Sequence, residues 1–120
     1  GTGCNRKIEY KEEGLSDYMF TIVVENFNER NYFTEKIVDP LILGTIPIYW
    51  GCPNIGDFFD DKGIISFKDV DELRGIVEDL NKSKYEELMD SINYNFNKSL
   101  EYEITEDWMY DNILNKLELN

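Results

Sequence analysis

The chain has 120 residues and a mass of 14.2 kDa, enough for one domain, and its 42% hydrophobic and 14% aromatic residues describe a globular fold rather than a disordered chain. A net charge of −13 repels polyanions and argues against nucleic acid as a primary partner. The complete lack of histidine excludes Ser–His and Cys–His nucleophile pairs, histidine general bases and histidine-ligated zinc within this chain.

In chain order, the opening GTGCN is loop-like. Its Gly1-Thr2-Gly3 hints at a dinucleotide fingerprint, but Arg6 stands where a third glycine belongs and no strand precedes it. Lys11 to Tyr18 is polar enough for a short surface helix. Phe20, Ile22, Val23 and Val24 form a β-branched apolar run, a buried strand with a polar end at Glu25-Asn26. Tyr32, Phe33, Ile37, Val38 and Leu41 then recur at helical spacing, with Asn31 as the expected cap, Pro40 as an expected kink and Gly44 as the stop. Thr45 to Gly51 reads as a second buried strand, in which Pro47 requires a free N–H side or a strand start. A connector punctuated by Pro53, Gly56 and Gly63 leads to a third strand, Ile64 to Phe67. Asp69 caps a helix over Val70 to Leu80 whose stripe is Val70, Leu73, Ile76, Val77 and Leu80. Two further helices are expected, Tyr85 to Phe96 and Glu106 to Leu119, so that the part from about residue 70 is helical. Strands alternating with helices predict an α/β fold, a Rossmann-like parallel sheet with flanking helices over a single, partial domain spanning 1–120. Ligands of such sheets sit at the carboxyl ends of the strands, beside helix N-termini.

The charge is unevenly spread. Residues 1–52 carry 5 Lys/Arg against 8 Asp/Glu, a balance of −3, and residues 53–120 carry 7 against 17, a balance of −10. Lys36 is therefore the best candidate for an anion contact, because a cation at a helix start and the free N–H groups there attract the same ligand. A surface lysine paired with Glu29 or Asp39 is the alternative. Glu35 can accept hydrogen bonds from ribose or sugar hydroxyls, or serve only as a first-turn glutamate. Tyr32 can offer its hydroxyl to a ligand or pack in the core. Glu25 ends a buried strand, where a carboxylate needs partners, and is read first as a group that orients the following loop and second as a ligand contact. Asn26 suits a cap or turn there. Tyr49 and Trp50 read as core, Asp60-Asp61 as a solvated turn, and Asp69-Val70-Asp71 as a cap rather than a metal motif. Cys4 and Cys52 are too few for a disulfide framework. No apolar run approaches the roughly 18 residues of a membrane span, and no signal-like segment opens the chain, so a cytoplasmic protein is expected. The lack of an initiating Met predicts a trimmed chain or a fragment.

The segment FTIVVENFNERNYFTEKIVDPLILGTIPIYWGCPNIGDFF resembles the signature region of the family 10 glycosyltransferases, the α1,3/α1,4-fucosyltransferases. The matching elements are Val24-Glu25-Asn26, Tyr32-Phe33-Thr34-Glu35-Lys36 and Ile46-Pro47-Ile48-Tyr49-Trp50-Gly51, in order and spacing, over at least residues 18–67. The resemblance implies the C-terminal, donor-binding half of an inverting GT-B glycosyltransferase that transfers fucose from GDP-fucose to a glycan acceptor without a metal or other cofactor. It implies that Lys36 meets the diphosphate, that Glu35 and Tyr32 meet ribose or fucose hydroxyls, and that Glu25 and Asn26 shape the donor loop. No catalytic residue is expected in this chain, since the family's general base lies in an N-terminal acceptor domain.

The departures matter. The upstream region carrying a further diphosphate-binding arginine does not map onto Arg6 or Arg30, and Val24 stands where the family has Phe. A first strand and helix are missing by this comparison, and the chain alone is expected to be inactive. The alternative is a non-catalytic interaction module that dimerises through an exposed sheet edge.

Overall fold

The structure, a computed structural model, describes residues 4–6 and 18–109. Four strands form one sheet in the order β1-β2-β3-β4: β1 Cys4–Arg6, β2 Phe20–Val24, β3 Ile46–Trp50 and β4 Ile65–Ser66. Strands β2, β3 and β4 run parallel, in the register Phe20 to Ile46, Val24 to Trp50 and Ile48 to Ile65. The Rossmann-like parallel sheet expected from the strand–helix alternation is thus present. Strand β1 was not expected: Cys4–Arg6, read as loop, pairs antiparallel with Ile22–Val24. Three polar or small residues carry no strand signal of their own, and only the bare edge of β2 makes them one.

Strand β3 is buried along its length and supplies both cores. Val23 and Tyr49 face one side with Ile37, Val38 and Leu41 of α1 (Glu35–Ile42), joined by Ile55, Phe59 and Ile64. Phe20, Ile46 and Ile48 face the other side with Leu80, Tyr85 and Ile92. Pro47 is tolerated for a geometric reason. Ile46 and Trp50 bond toward β2 (Ile46 N–H to Met19 O 2.9 Å, Glu25 N–H to Trp50 O 2.9 Å), whereas Tyr49 bonds toward β4 (Phe67 N–H to Tyr49 O 3.0 Å). Pro47 therefore points its missing donor to the β4 side, ahead of the point where β4 begins to pair at Ile48.

Helix α1 starts later than the apolar spacing predicts. Thr34, not Asn31, is its cap, accepting from the Lys36 N–H at 3.1 Å. Asn31 instead takes a left-handed φ of +66° in the loop, and Tyr32 and Phe33 precede the helix. The backbone stays helical through Pro40 to Ile42. Gly44 closes it at φ +74°, with its N–H on Leu41 O and the Thr45 N–H on Pro40 O, both at 3.1 Å, the paired bonds of a Schellman stop.

Helix α2 (Val70–Glu78) is capped by Asp69 as expected, the carboxylate accepting from Glu72 N–H at 2.8 Å. Val70 falls off the predicted stripe and is 66% exposed, because the first helical position turns away from the sheet. The expected Tyr85–Phe96 helix divides into α3 (Lys82–Glu87) and α4 (Met89–Met109), and α4 runs through the polar stretch where a break was expected. Residues 97–105 contain no glycine or proline to interrupt it. Residues 11–17 of the helix expected over 11–18, and the part of the last helix beyond 109, lie outside the described residues.

Candidate functional site

The centre of the site is Glu25, the first residue past β2 and only 2% exposed. Its carboxylate accepts three hydrogen bonds, from the Thr34 N–H (2.9 Å), the Thr34 hydroxyl (2.5 Å) and the Tyr49 hydroxyl (3.0 Å). A buried charge needs such saturation. Tyr49 in turn accepts from the Cys52 N–H at 3.1 Å, and burial, with the neighbouring carboxylate adding to it, pushes its phenol far above the ordinary value of 10. The tyrosine is thus a permanent donor to Glu25. Gly51 is what lets the two meet. A Cβ there would lie 2.5 Å from both Glu25 Cγ and the Tyr49 hydroxyl oxygen, inside contact distance of two immobile groups.

This network fixes the residues nearest the sequence-predicted site. Thr34 is locked from below by Glu25, and its hydroxyl caps α1 from above, so Glu35 and Lys36 leave the helix start in set directions. Glu35 is exposed and Lys36 half-buried. Tyr32 is half-buried, its ring edge-on to Phe27 at 5.6 Å. Asn26 is exposed at the mouth of the loop. Phe33, next to Thr34, anchors the same end of the loop among the rings of Phe58, Phe59 and Tyr102, at 5.0, 5.5 and 5.3 Å. Glu25, Thr34 and the first turn of α1 are therefore tied together, and Tyr32 directly precedes the anchored Phe33-Thr34 pair.

A cavity of about 290 Å³ at the carboxyl ends of β3 and β4 is lined by Asn28, Tyr49, Gly51, Pro53, Lys68 and Glu72 among others; Glu25, Asn26, Tyr32, Glu35 and Lys36 do not line it, and the Glu25 partner Tyr49 connects the two. Lys68 and Glu72 escape a reading of the sequence because they look like ordinary charges around a helix cap. Asn54 escapes it too, whereas Thr34 and Gly51 enter only as members of the matching motifs, with no site role read for either.

Asp60 does not stay in solvent as expected. It accepts from the Ser91 hydroxyl (2.7 Å) and the Lys62 N–H (3.0 Å), while its backbone exchanges two bonds with the Asn95 amide at 2.8 and 2.9 Å. The Ser91 hydroxyl, then the Lys62 amide and charge, hold its carboxyl below the usual value of 3.8 against the opposing effect of burial. Asp60 ties the connector to α4. Among the described residues no group of three or more potential metal ligands occurs, and no helix is long and apolar enough to cross a membrane.

A parallel three-strand core with helices on both faces, a capped helix start and a cavity at the strand ends define a Rossmann-like α/β domain. Residues 2–112 match the family model described as Glycosyltransferase family 10 (fucosyltransferase) C-term, and the chain belongs to that family. It is similar to the alpha-(1,3)-fucosyltransferase FucT of Helicobacter pylori, with 38% identity over 80 residues covering 64% of this chain and 17% of that protein. It is also similar to alpha-(1,3)-fucosyltransferase B of Drosophila melanogaster, with 45% identity over 69 residues covering 57% of this chain and 16% of that protein. A crystal structure of an alpha1,3-fucosyltransferase with GDP superposes with a TM-score of 0.54 at 30% identity, covering 82% of this chain and 34% of that one. The chain thus spans less than one fifth of the length of these two relatives.

Proposed function

We propose that this chain is the donor-binding part of an inverting fucosyltransferase, holding GDP-fucose for transfer to a glycan acceptor that a further domain presents. The observation that carries the reading is the Glu25–Thr34 contact, which fixes Glu35 and Lys36 at the start of α1 in a chain of this family. Lys36 meets the diphosphate, Glu35 and Tyr32 take ribose or fucose hydroxyls, and Glu25 and Asn26 shape the loop. In the transfer, the bond between the anomeric carbon and the β-phosphate oxygen breaks while the acceptor hydroxyl attacks from the opposite face. Negative charge grows on the departing GDP, and the Lys36 ammonium together with the α1 N-terminus stabilises it. The reading gives that task to a lysine rather than to a metal ion. It places no general base in this chain, so the isolated chain binds donor without transferring fucose.

Calorimetric titration with GDP, GDP-fucose, GDP-mannose and UDP-glucose tests it, with Lys36→Ala in parallel. The expected outcome is saturable binding of GDP and GDP-fucose, weakened by about 1–3 kcal/mol in the variant as for a lost charge-assisted contact. A folded chain that binds neither, or a variant that binds as well as the wild type, would refute it.

A further inference from the structure

Among the described residues only one non-glycine backbone sits at positive φ, Asn31 at +66°, immediately before Tyr32. Asn31 is the third residue of a turn that the Tyr32 N–H closes on Glu29 O at 3.2 Å, where asparagine tolerates this conformation, and the Asn54 side chain grips it there from across the loop. The Asn31 N–H donates to Asn54 Oδ1 at 2.8 Å, and Asn54 Nδ2 donates back to Asn31 Oδ1 at 2.8 Å. Asn54 Nδ2 also donates to Asp57 Oδ2 at 3.0 Å, and the Cys52 thiol donates to Asn54 Oδ1 at 3.1 Å. Every hydrogen-bonding capacity of that amide is used, and the fixed Asn31 donor allows only one orientation of it. The two strands' trailing segments are joined at this point. Asn28, three residues before Asn31, lines one wall of the strand-end cavity, and Pro53, next to Asn54, lines another.

We propose that Asn54 is a positioning residue for donor recognition: by gripping Asn31 it fixes the β2–α1 loop against the segment after β3 and so sets where Tyr32 meets the sugar nucleotide. This inference rests on the donor-binding reading above. Glu25 holds the end of the loop at Thr34 from inside the protein, and Asn54 holds Asn31, on the other side of Tyr32, from its surface. Without this grip Tyr32 is held from the Phe33–Thr34 side only, and the stretch before it must be ordered again each time donor binds, at a cost in affinity.

The test compares wild type, Asn54→Ala, Asn54→Asp, Asn31→Gly and Lys36→Ala by GDP-fucose titration, amide hydrogen exchange at Asn31 and Tyr32, and thermal midpoint. Asn54→Asp keeps an acceptor for the Asn31 N–H but sets a carboxylate against Asn31 Oδ1 and Asp57. Both Asn54 variants are expected to bind GDP-fucose about fivefold to tenfold more weakly, the size of one or two lost hydrogen bonds, with faster exchange at Asn31 and the fold retained. Asn31→Gly keeps the backbone contact without the conformational cost and should stay nearer wild type. Wild-type affinity in both Asn54 variants, or unchanged exchange at Asn31, would overturn the proposal while leaving donor binding by Lys36 intact. A wild-type chain that does not bind GDP-fucose would overturn the donor reading and this role with it, and the exchange data would still show whether Asn54 holds the loop.

Discussion

Replacing Glu25 separates two jobs that its carboxylate performs, filling space and accepting hydrogen bonds. Glutamine keeps the shape. Its carbonyl oxygen can stand where Oε2 stands, accepting from both the Thr34 N–H and Tyr49, while its amide turns to the Thr34 hydroxyl. Only the charge assistance is lost, about 1–2 kcal/mol. Methionine fills a similar volume and accepts almost nothing. The Thr34 N–H is then left without a partner, and the Tyr49 hydroxyl, 1% exposed as a residue, loses its acceptor. Two buried orphan donors at about 1–3 kcal/mol each give a loss of about 4 kcal/mol, a large part of an ordinary domain's stability. Urea unfolding followed by tryptophan fluorescence, to which the half-buried Trp50 at the end of β3 contributes alongside Trp108, reads the difference. With m of about 2 kcal/mol/M, the midpoint should fall by about 0.5–1 M for Glu25→Gln and about 2 M for Glu25→Met. A methionine variant as stable as the glutamine variant would show that Glu25 is held by packing and that its three contacts do not matter.

Gly51→Ala should disturb the same network from the other side, since its Cβ would stand 2.5 Å from Glu25 Cγ and the Tyr49 oxygen, neither free to retreat. A loss of about 1–3 kcal/mol by the same unfolding measurement is expected, together with weaker GDP binding, and an alanine variant equal to wild type would contradict the close approach. Asp60 makes stability depend on acidity in a definite direction. Its folded pKa lies below the ordinary 3.8, so its contribution is present above that pH and is lost as pH falls through the lowered value. Ser91→Ala removes the largest cause and should flatten the acid limb of a stability–pH curve there, with a loss of about 1 kcal/mol or less at neutral pH.

Strands β2 and β3 are legible because apolar, β-branched runs that end in polar residues or glycine have few other uses. Strand β1 is not, for its pairing is a property of β2's edge rather than of Cys4-Asn5-Arg6. The start of α1 is ambiguous in the sequence. Asn31 and Thr34 are both good caps, and Tyr32 and Phe33 fall in phase with the helix. Glu25, nine residues upstream of Thr34, decides between them through a contact that no local pattern encodes. Helix α4 is misdivided for a related reason. Ser91, Asn95 and Ser99 are buried on one face, so the apolar period fades where the helix is in fact most enclosed. In the site, Glu35 and Lys36 stand out as charges at a helix start, whereas Asn54 looks like any asparagine in a turn. Its meaning comes from Asn31, 23 residues away.

The polar face of α4 also says something about which helices could replace it. Apolar side chains grip by area, and a helix held only that way can rotate or slide by a fraction of a turn at little cost. Asn95 is keyed to a single backbone position, receiving from Asp60 N–H and giving to Asp60 O, with Ser91 one turn earlier on the Asp60 carboxylate. A helix grafted from a relative onto this sheet would need that serine and asparagine four residues apart to settle in the same phase, however well its leucines matched.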